Sequence, residues 1–263
     1  MPSLADHHSS HFVKLIYIGD SGTGKTGSLV SLLADGYNMR ILDMDNGLDA
    51  LVQHARQQQC DLSKVGYITV RDEYKSSPMG PVVKGAPKAF VNALKYLDKW
   101  EDESIPAEWG EETVFVLDSL SAFGKAAFEW AKGMNPSAKD PRQWYFSAQQ
   151  AIENVIAMLT GEAFHCNVIV ISHINYREMQ NGMTKGYANA IGSALGPTIS
   201  KYFNTLIMAE STGSGTNVRR RIKTVPTGVV DLKTPNPFKL DSELPLETGL
   251  STIFKILKEK ADE

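Results

Sequence analysis

Two cysteines, Cys60 and Cys166, are too few in 263 residues for a disulfide framework, and they lack metal-ligand spacing. A reduced, intracellular setting is expected. No run of 18 consecutive apolar residues occurs, and the first twelve residues lack the apolar stretch of a secretory leader, so a soluble cytoplasmic protein with no membrane partner is expected. A basic excess is missing too. Net charge is −3, so no overall positive field draws in nucleic acid, and any polyanion has to be gripped by local clusters. No internal repeat is found. The guanine-reading pattern Asn-Lys-x-Asp is absent, which sets GTPases aside.

What is present is an alternation of buried strands and helices. Residues 12–18 and 40–45 read as strands, as do 66–70, 113–119, 167–173, 206–210 and 220–225. The runs 113–119 and 167–173 are apolar throughout and suit strands covered on both faces. Helices are expected over 25–33, 88–100, within 121–145, over 144–160 and over 250–260. The Pro-, Gly- and Ser-rich segment 72–87 reads as a flexible surface excursion, and the acidic segment 101–112 as a solvated loop. The expected fold class is α/β, a mostly parallel twisted sheet with helices on both faces. A disordered tail is expected over 1–11, a core over 12–240, and a C-terminal extension with a short helix over 241–263.

In such sheets ligands bind beyond the carboxyl ends of the strands. Gly19, Asp20, Ser21, Gly22, Thr23, Gly24, Lys25 and Thr26 fit G-x-x-x-x-G-K-[ST] between a strand and a helix. The glycines let successive N–H groups face phosphate oxygens. Lys25 supplies a cation for the β and γ phosphates, and the Thr26 hydroxyl suits Mg²⁺. Asp118, ending a buried strand, is the acid expected behind the metal, holding it through its water shell. ATP with Mg²⁺ is therefore the expected cofactor pair. Residues 174–200 contain a single arginine, too few for the phosphate lid of a small-molecule kinase.

The stretch from Ile41 to Asp49, the triplet Leu117-Asp118-Ser119 and the triplet Ile171-Ser172-His173 together resemble RecA-type recombinases, over about residues 12–235. The resemblance implies a RecA-like P-loop NTPase core. It puts Asp45 at the catalytic acid, one methylene shorter than the family's Glu, and Asp49 at an acid that contacts adenine. It puts His173 at the γ-phosphate sensor and residues 174–196 at the mobile DNA-binding loop. The length and the stretch 219–228 are similar to the small phage-encoded RecA-like ATPases of recombination and single-strand annealing, which implies a host cytoplasm. With the family's N-terminal linking element reduced to 1–11, rings and short oligomers stand beside filaments.

Asp45 is the first candidate to orient an attacking water, with Asp43 second. In the loop after His173, Tyr176 and Tyr187 can stack on bases while Arg177 and Lys185 meet phosphates. The densest positive cluster, 219–223, offers either a contact to DNA or a finger reaching a neighbouring subunit's γ-phosphate, with Arg221 and Lys223 on one strand face. Expected partners are single-stranded DNA, further copies of the chain, and a single-strand DNA-binding protein. The competing expectation is a nucleotide-gated regulator or assembly ATPase that uses the same loop on a protein partner.

Overall fold

The computed structural model describes residues 12–259. The expected tail over 1–11 lies outside the described residues. β1 (Lys14–Gly19) is apolar on both of its faces because it lies inside an eight-stranded sheet that is itself covered twice. Its alternate side chains feed two cores: Ile16 and Ile18 enter one, Leu15 and Tyr17 the other. β6 (Gly110–Asp118) and β7 (Cys166–Ser172) alternate in the same way, with Phe115, Leu117, Val168 and Val170 on one side and Val114, Val116, Ile169 and Ile171 on the other. Each such fully buried side chain contributes about 1.5–3 kcal/mol of transfer free energy.

Around these strands lie β2 (Asn38–Asp43), β3 (Val65–Thr69), β10 (Thr205–Thr212), β11 (Arg219–Lys223) and β12 (Glu243–Pro245). The sheet order is β12-β11-β10-β1-β7-β6-β2-β3. Pairings are parallel from β10 to β3, and β11 and β12 join antiparallel at one edge. One face carries α4 (Ala89–Asp98), α5 (Leu120–Met134) and α6 (Arg142–Thr160). The other carries α1 (Lys25–Ser28), α2 (Val30–Ala34), α3 (Asp49–Gln57) and α8 (Gly249–Lys258). A short α7 (Leu195–Ile199) precedes β10. This is the mostly parallel α/β arrangement read from the alternation of elements. No described helix is long and apolar enough to cross a membrane.

Four departures from expectation matter. The helix expected over 25–33 is two short helices joined through a tightened turn at Leu29, whose N–H bonds to Thr26 O at 3.3 Å. The 72–87 excursion pairs β4 (Tyr74–Lys75) with β5 (Val82–Val83) as a small hairpin. The C-terminal extension is integral: β12 completes the sheet, and Leu250, Ile253 and Phe254 of α8 are fully buried.

The fourth is the mobile loop expected over 174–196. Its first half is a hairpin, β8 (Ile174–Glu178) against β9 (Thr184–Ala188), antiparallel and in register Tyr176↔Gly186 and Arg177↔Lys185. Ile174 and Tyr176 supply strand-forming side chains at alternate positions, and Gly182 turns the tip with φ +77°. Gly182 makes the turn and Gly186 a close packing point. At Gly186 an added Cβ would lie 2.9 Å from Val230 Cγ2.

Candidate functional site

The tips of β1, β7, β6 and β2 stand side by side in the sheet, and each carries one piece of the site. After β1 the chain turns tightly: Thr23 Oγ1 donates to Asp20 O at 2.8 Å, and Gly22 and Gly24 take φ of +78° and +91°. Gly24 is doubly required, since a Cβ there would come within 2.5 Å of Leu246 Cδ2. Lys25 is buried and its ammonium donates to Gly19 O at 2.7 Å and Asp20 O at 2.8 Å. Burial holds its pKa below the usual lysine range, while Asp118, Asp20 and Asp45 pull the other way. Lys25 is thus a cation stored against loop carbonyls at the mouth of a positive-φ turn, the arrangement that takes up a nucleotide's phosphates.

Thr26 Oγ1 donates to Asp118 Oδ2 at 2.6 Å across two elements. A hydroxyl and a carboxylate are the hard oxygen donors that suit Mg²⁺, which keeps several waters and takes the rest of its shell from phosphate. Among the described residues no cluster of three or more His, Cys, Asp and Glu side chains could hold a metal ion. Bound beside Thr26 and Asp118, Mg²⁺ would neutralise charge on the β- and γ-phosphate oxygens.

Burial pushes the Asp118 carboxyl up to about 6, with Asp45 and Asp43 adding to the rise while Thr26 and Lys25 oppose it. The native protein therefore holds this proton more tightly than the unfolded chain does. The contribution of Asp118 to nucleotide-free stability falls as pH rises from about 4 to 6. Metal binding needs the ionised carboxylate, so affinity moves the opposite way. Titrations of Mg²⁺–nucleotide should show affinity rising by up to ~10-fold per pH unit below pH 6 and levelling above pH 7. Asp118→Asn should remove that slope and raise the thermal midpoint of the nucleotide-free protein.

Asp43 and Asp45, both expected as candidate bases, have separated roles. Asp43 is 1% exposed and fully occupied: Oδ1 accepts from Asn46 N at 2.7 Å and Oδ2 from Thr69 Oγ1 at 2.8 Å. It builds the turn, in which Asn46 takes φ +58°, that presents Asp45. Asp45 Oδ2 stands 3.7 Å from His173 Nε2. The His173 ring holds the Asp45 carboxyl below the usual range; burial partly opposes this, while Ser119 and Lys25 add to the lowering. The acid and the sensor residue named from sequence are thus neighbours, although β6 separates β2 from β7. Asp49 sits exposed in the first turn of α3, where its charge also favours the helix dipole.

The hairpin springs from the residue after His173. Its root is tied down by Ser121 of α5, which accepts from His173 N at 3.1 Å and donates to Asn189 O at 2.9 Å. Arg177, Lys185 and Tyr187 share one hairpin face. Lys185 pairs with Asp231 at 2.7 Å, and Arg177 donates to Ser193 O while lying over the Tyr187 ring at 5.6 Å. Tyr176 is on the opposite face, where its hydroxyl donates to Asp20 Oδ2 of the phosphate loop at 3.2 Å. It is aimed at the nucleotide turn and away from the basic face.

On β11, Arg221 and Lys223 both bind Glu243 of β12. Arg220 points the other way, and its Nε donates to Gly22 O at 3.2 Å. Sequence reasoning missed Ser121, Glu243 and the Tyr176 and Arg220 contacts to the phosphate loop. Each depends on register or on elements more than fifty residues apart in sequence. Only the alternation of 219–223 hinted at Arg220, by setting it opposite Arg221.

Fold and site together define a RecA-like P-loop ATPase. The chain belongs to the AAA domain family, whose profile matches residues 11–235. No curated protein matches it. Among solved structures it is similar to the RadB recombinase, with 18% identity, a TM-score of 0.52, and coverage of 90% of this chain and 89% of that one. The flagellar accessory protein FlaH of Methanocaldococcus jannaschii has 12% identity and a TM-score of 0.47, covering 90% and 87%. A KaiC-like protein of Pyrococcus horikoshii OT3 has 11% identity and a TM-score of 0.42, covering 80% and 78%.

Proposed function

We propose that this protein binds and slowly hydrolyses ATP with Mg²⁺ and acts on single-stranded DNA in recombination or strand annealing, in the manner of the small phage proteins it resembles. The observation that supports the reading is the hairpin. It starts one residue beyond His173, which touches Asp45, and it presents Arg177, Lys185 and Tyr187 on a single face. Two cations and an aromatic ring on one face suit a backbone phosphate next to a stacked base. In this reading Lys25 and residues 19–24 cradle the phosphates and Asp49 meets adenine. Asp45 orients the attacking water, and His173 reads the terminal phosphate. Arg221 exchanges Glu243 for the phosphate of a neighbouring copy in a ring or filament. A single-strand DNA-binding protein is the expected companion.

Measuring ATP turnover with and without single-stranded DNA at low salt tests the reading: stimulation is expected. Replacing Arg177 and Lys185 together with Ala should weaken DNA binding and flatten the log affinity–log salt slope by about 1.4, two phosphate contacts at ~0.7 each. An unchanged slope would move the DNA path elsewhere. If DNA neither binds nor alters turnover, the second reading takes over: a nucleotide-gated regulator or assembly ATPase with a protein partner. The exposed Met179 and Met183 at the hairpin tip favour it, since methionines adapt to protein surfaces.

A further inference from the structure

The phosphate loop is held from outside by a residue whose job, on sequence alone, was to touch DNA. Asp20 is the second residue of the loop and is used twice. Its carbonyl accepts the Lys25 ammonium at 2.8 Å and the Thr23 hydroxyl at 2.8 Å, while its carboxylate accepts the Tyr176 hydroxyl at 3.2 Å. One residue therefore joins the stored cation to the hairpin.

Tyr176 is held in place for this contact. It lies opposite Gly186 in the register, and its Cε1 would be 3.3 Å from a Cβ at that position, so any side chain at 186 would crowd the ring. Gly186 N also bonds Val229 O at 2.9 Å, which fixes β9 to the segment behind it. The hairpin root is anchored through Asn189 N to His173 O at 2.8 Å. Between root and tip, the tyrosine hydroxyl is the hairpin's side-chain hydrogen bond to the phosphate loop.

A nucleotide changes both ends of this link. Bound phosphates would compete with the Asp20 carbonyl for the Lys25 ammonium and would bring negative charge close to the Asp20 carboxylate. A hydroxyl donating there would then be held more firmly, because its O–H dipole points into a more negative field and hydrogen bonds to charged acceptors are the stronger ones. We propose that Tyr176 is a positioning residue: through Asp20 it makes nucleotide occupancy tighten the hairpin, and hairpin order tighten nucleotide binding. The two effects are equal by thermodynamic linkage. This rests on the nucleotide site of the proposed reading and does not require DNA.

Amide hydrogen exchange over residues 174–188, with and without a non-hydrolysable ATP analogue and Mg²⁺, tests it. The wild type should show slower exchange with nucleotide, and Tyr176→Phe should lose that slowing. Analogue affinity should fall about threefold to tenfold in the variant, the scale of one partly exposed hydrogen bond to a charged group. Asp20→Ala should remove the slowing equally, with no further loss in the double variant. Tyr187→Phe, on the other hairpin face, should keep it. Hairpin exchange that ignores nucleotide in the wild type, or still responds in Tyr176→Phe, overturns the proposal. Absence of DNA binding would instead overturn the DNA reading and leave this result standing.

Discussion

Asp45→Asn should lower ATP turnover by at least ~10²-fold while leaving nucleotide affinity within a few-fold of wild type, the loss expected for one well-placed catalytic group. The separation of the two effects follows from geometry. The phosphate loop, Thr26 and Asp118 hold one another through their own hydrogen bonds, and none of those bonds uses Asp45. Asp45 instead faces His173 at 3.7 Å, and that ring keeps its carboxyl ionised well below neutral pH. A carboxylate of such low basicity is suited to orienting and polarising a water; it is a poor final resting place for a proton. Turnover should therefore show no fall between pH 8 and 6 attributable to Asp45. A fall toward the acid end of that window is expected from Asp118, whose carboxyl burial pushes up to about 6 in the nucleotide-free protein. Single-turnover kinetics beside equilibrium binding of a labelled nucleotide would check the split. Near-normal turnover in Asp45→Asn would move the base elsewhere, but not to Asp43, whose oxygens are committed to Asn46, Gly47 and Thr69.

How much of this was legible in the sequence depends on the range of the interaction. The eight residues 19–26 fold by local rules: positive-φ glycines, a turn closed by Thr23 on Asp20, a helix start at Lys25. Their motif could be read directly. The apolar runs ending in Asp118 and His173 gave buried strands because a strand covered on both faces can tolerate polar groups only at its end. Residues 174–188 form a hairpin where the resemblance implied a loop, and alternation is the local signal for it. Ile174 and Tyr176 lie on the same strand face, and Asn181-Gly182 marks the turn. In the C-terminal segment the short helix was legible but the edge strand was not, for a different reason. Three residues of edge strand, Glu243–Pro245, carry almost no pattern, and their placement is decided by Leu244 and Leu246 packing into a core built from residues two hundred positions earlier. The contact between Tyr176 and Asp20, 156 residues apart, is of the same kind. Such pairs depend on the tertiary fold, which no local pattern reports.

Lys25→Ala should abolish detectable turnover and weaken nucleotide binding by at least ~10²-fold, about 3 kcal/mol, the worth of one or two charge-assisted hydrogen bonds to phosphate. The ammonium is the positive charge set among Asp20, Asp45 and Asp118, all of which act on it. Without it a triphosphate would approach three carboxylates with no side-chain cation inside the phosphate loop to offset them. The fold should survive. Burial of the ammonium disfavours its charged form, so removing it relieves that cost while leaving Gly19 O and Asp20 O to find water. Lys25→Arg should not restore function, because both carbonyl contacts fit a compact three-donor ammonium on an almost fully buried stem, and a planar guanidinium presents its donors in a different plane. Binding titrations on both variants, with circular dichroism to confirm folding, give the test. Full nucleotide affinity in folded Lys25→Ala would mean that the glycine turn alone holds the phosphates, and the catalytic reading of Asp45 and His173 would lose the anchor that places a γ-phosphate between them.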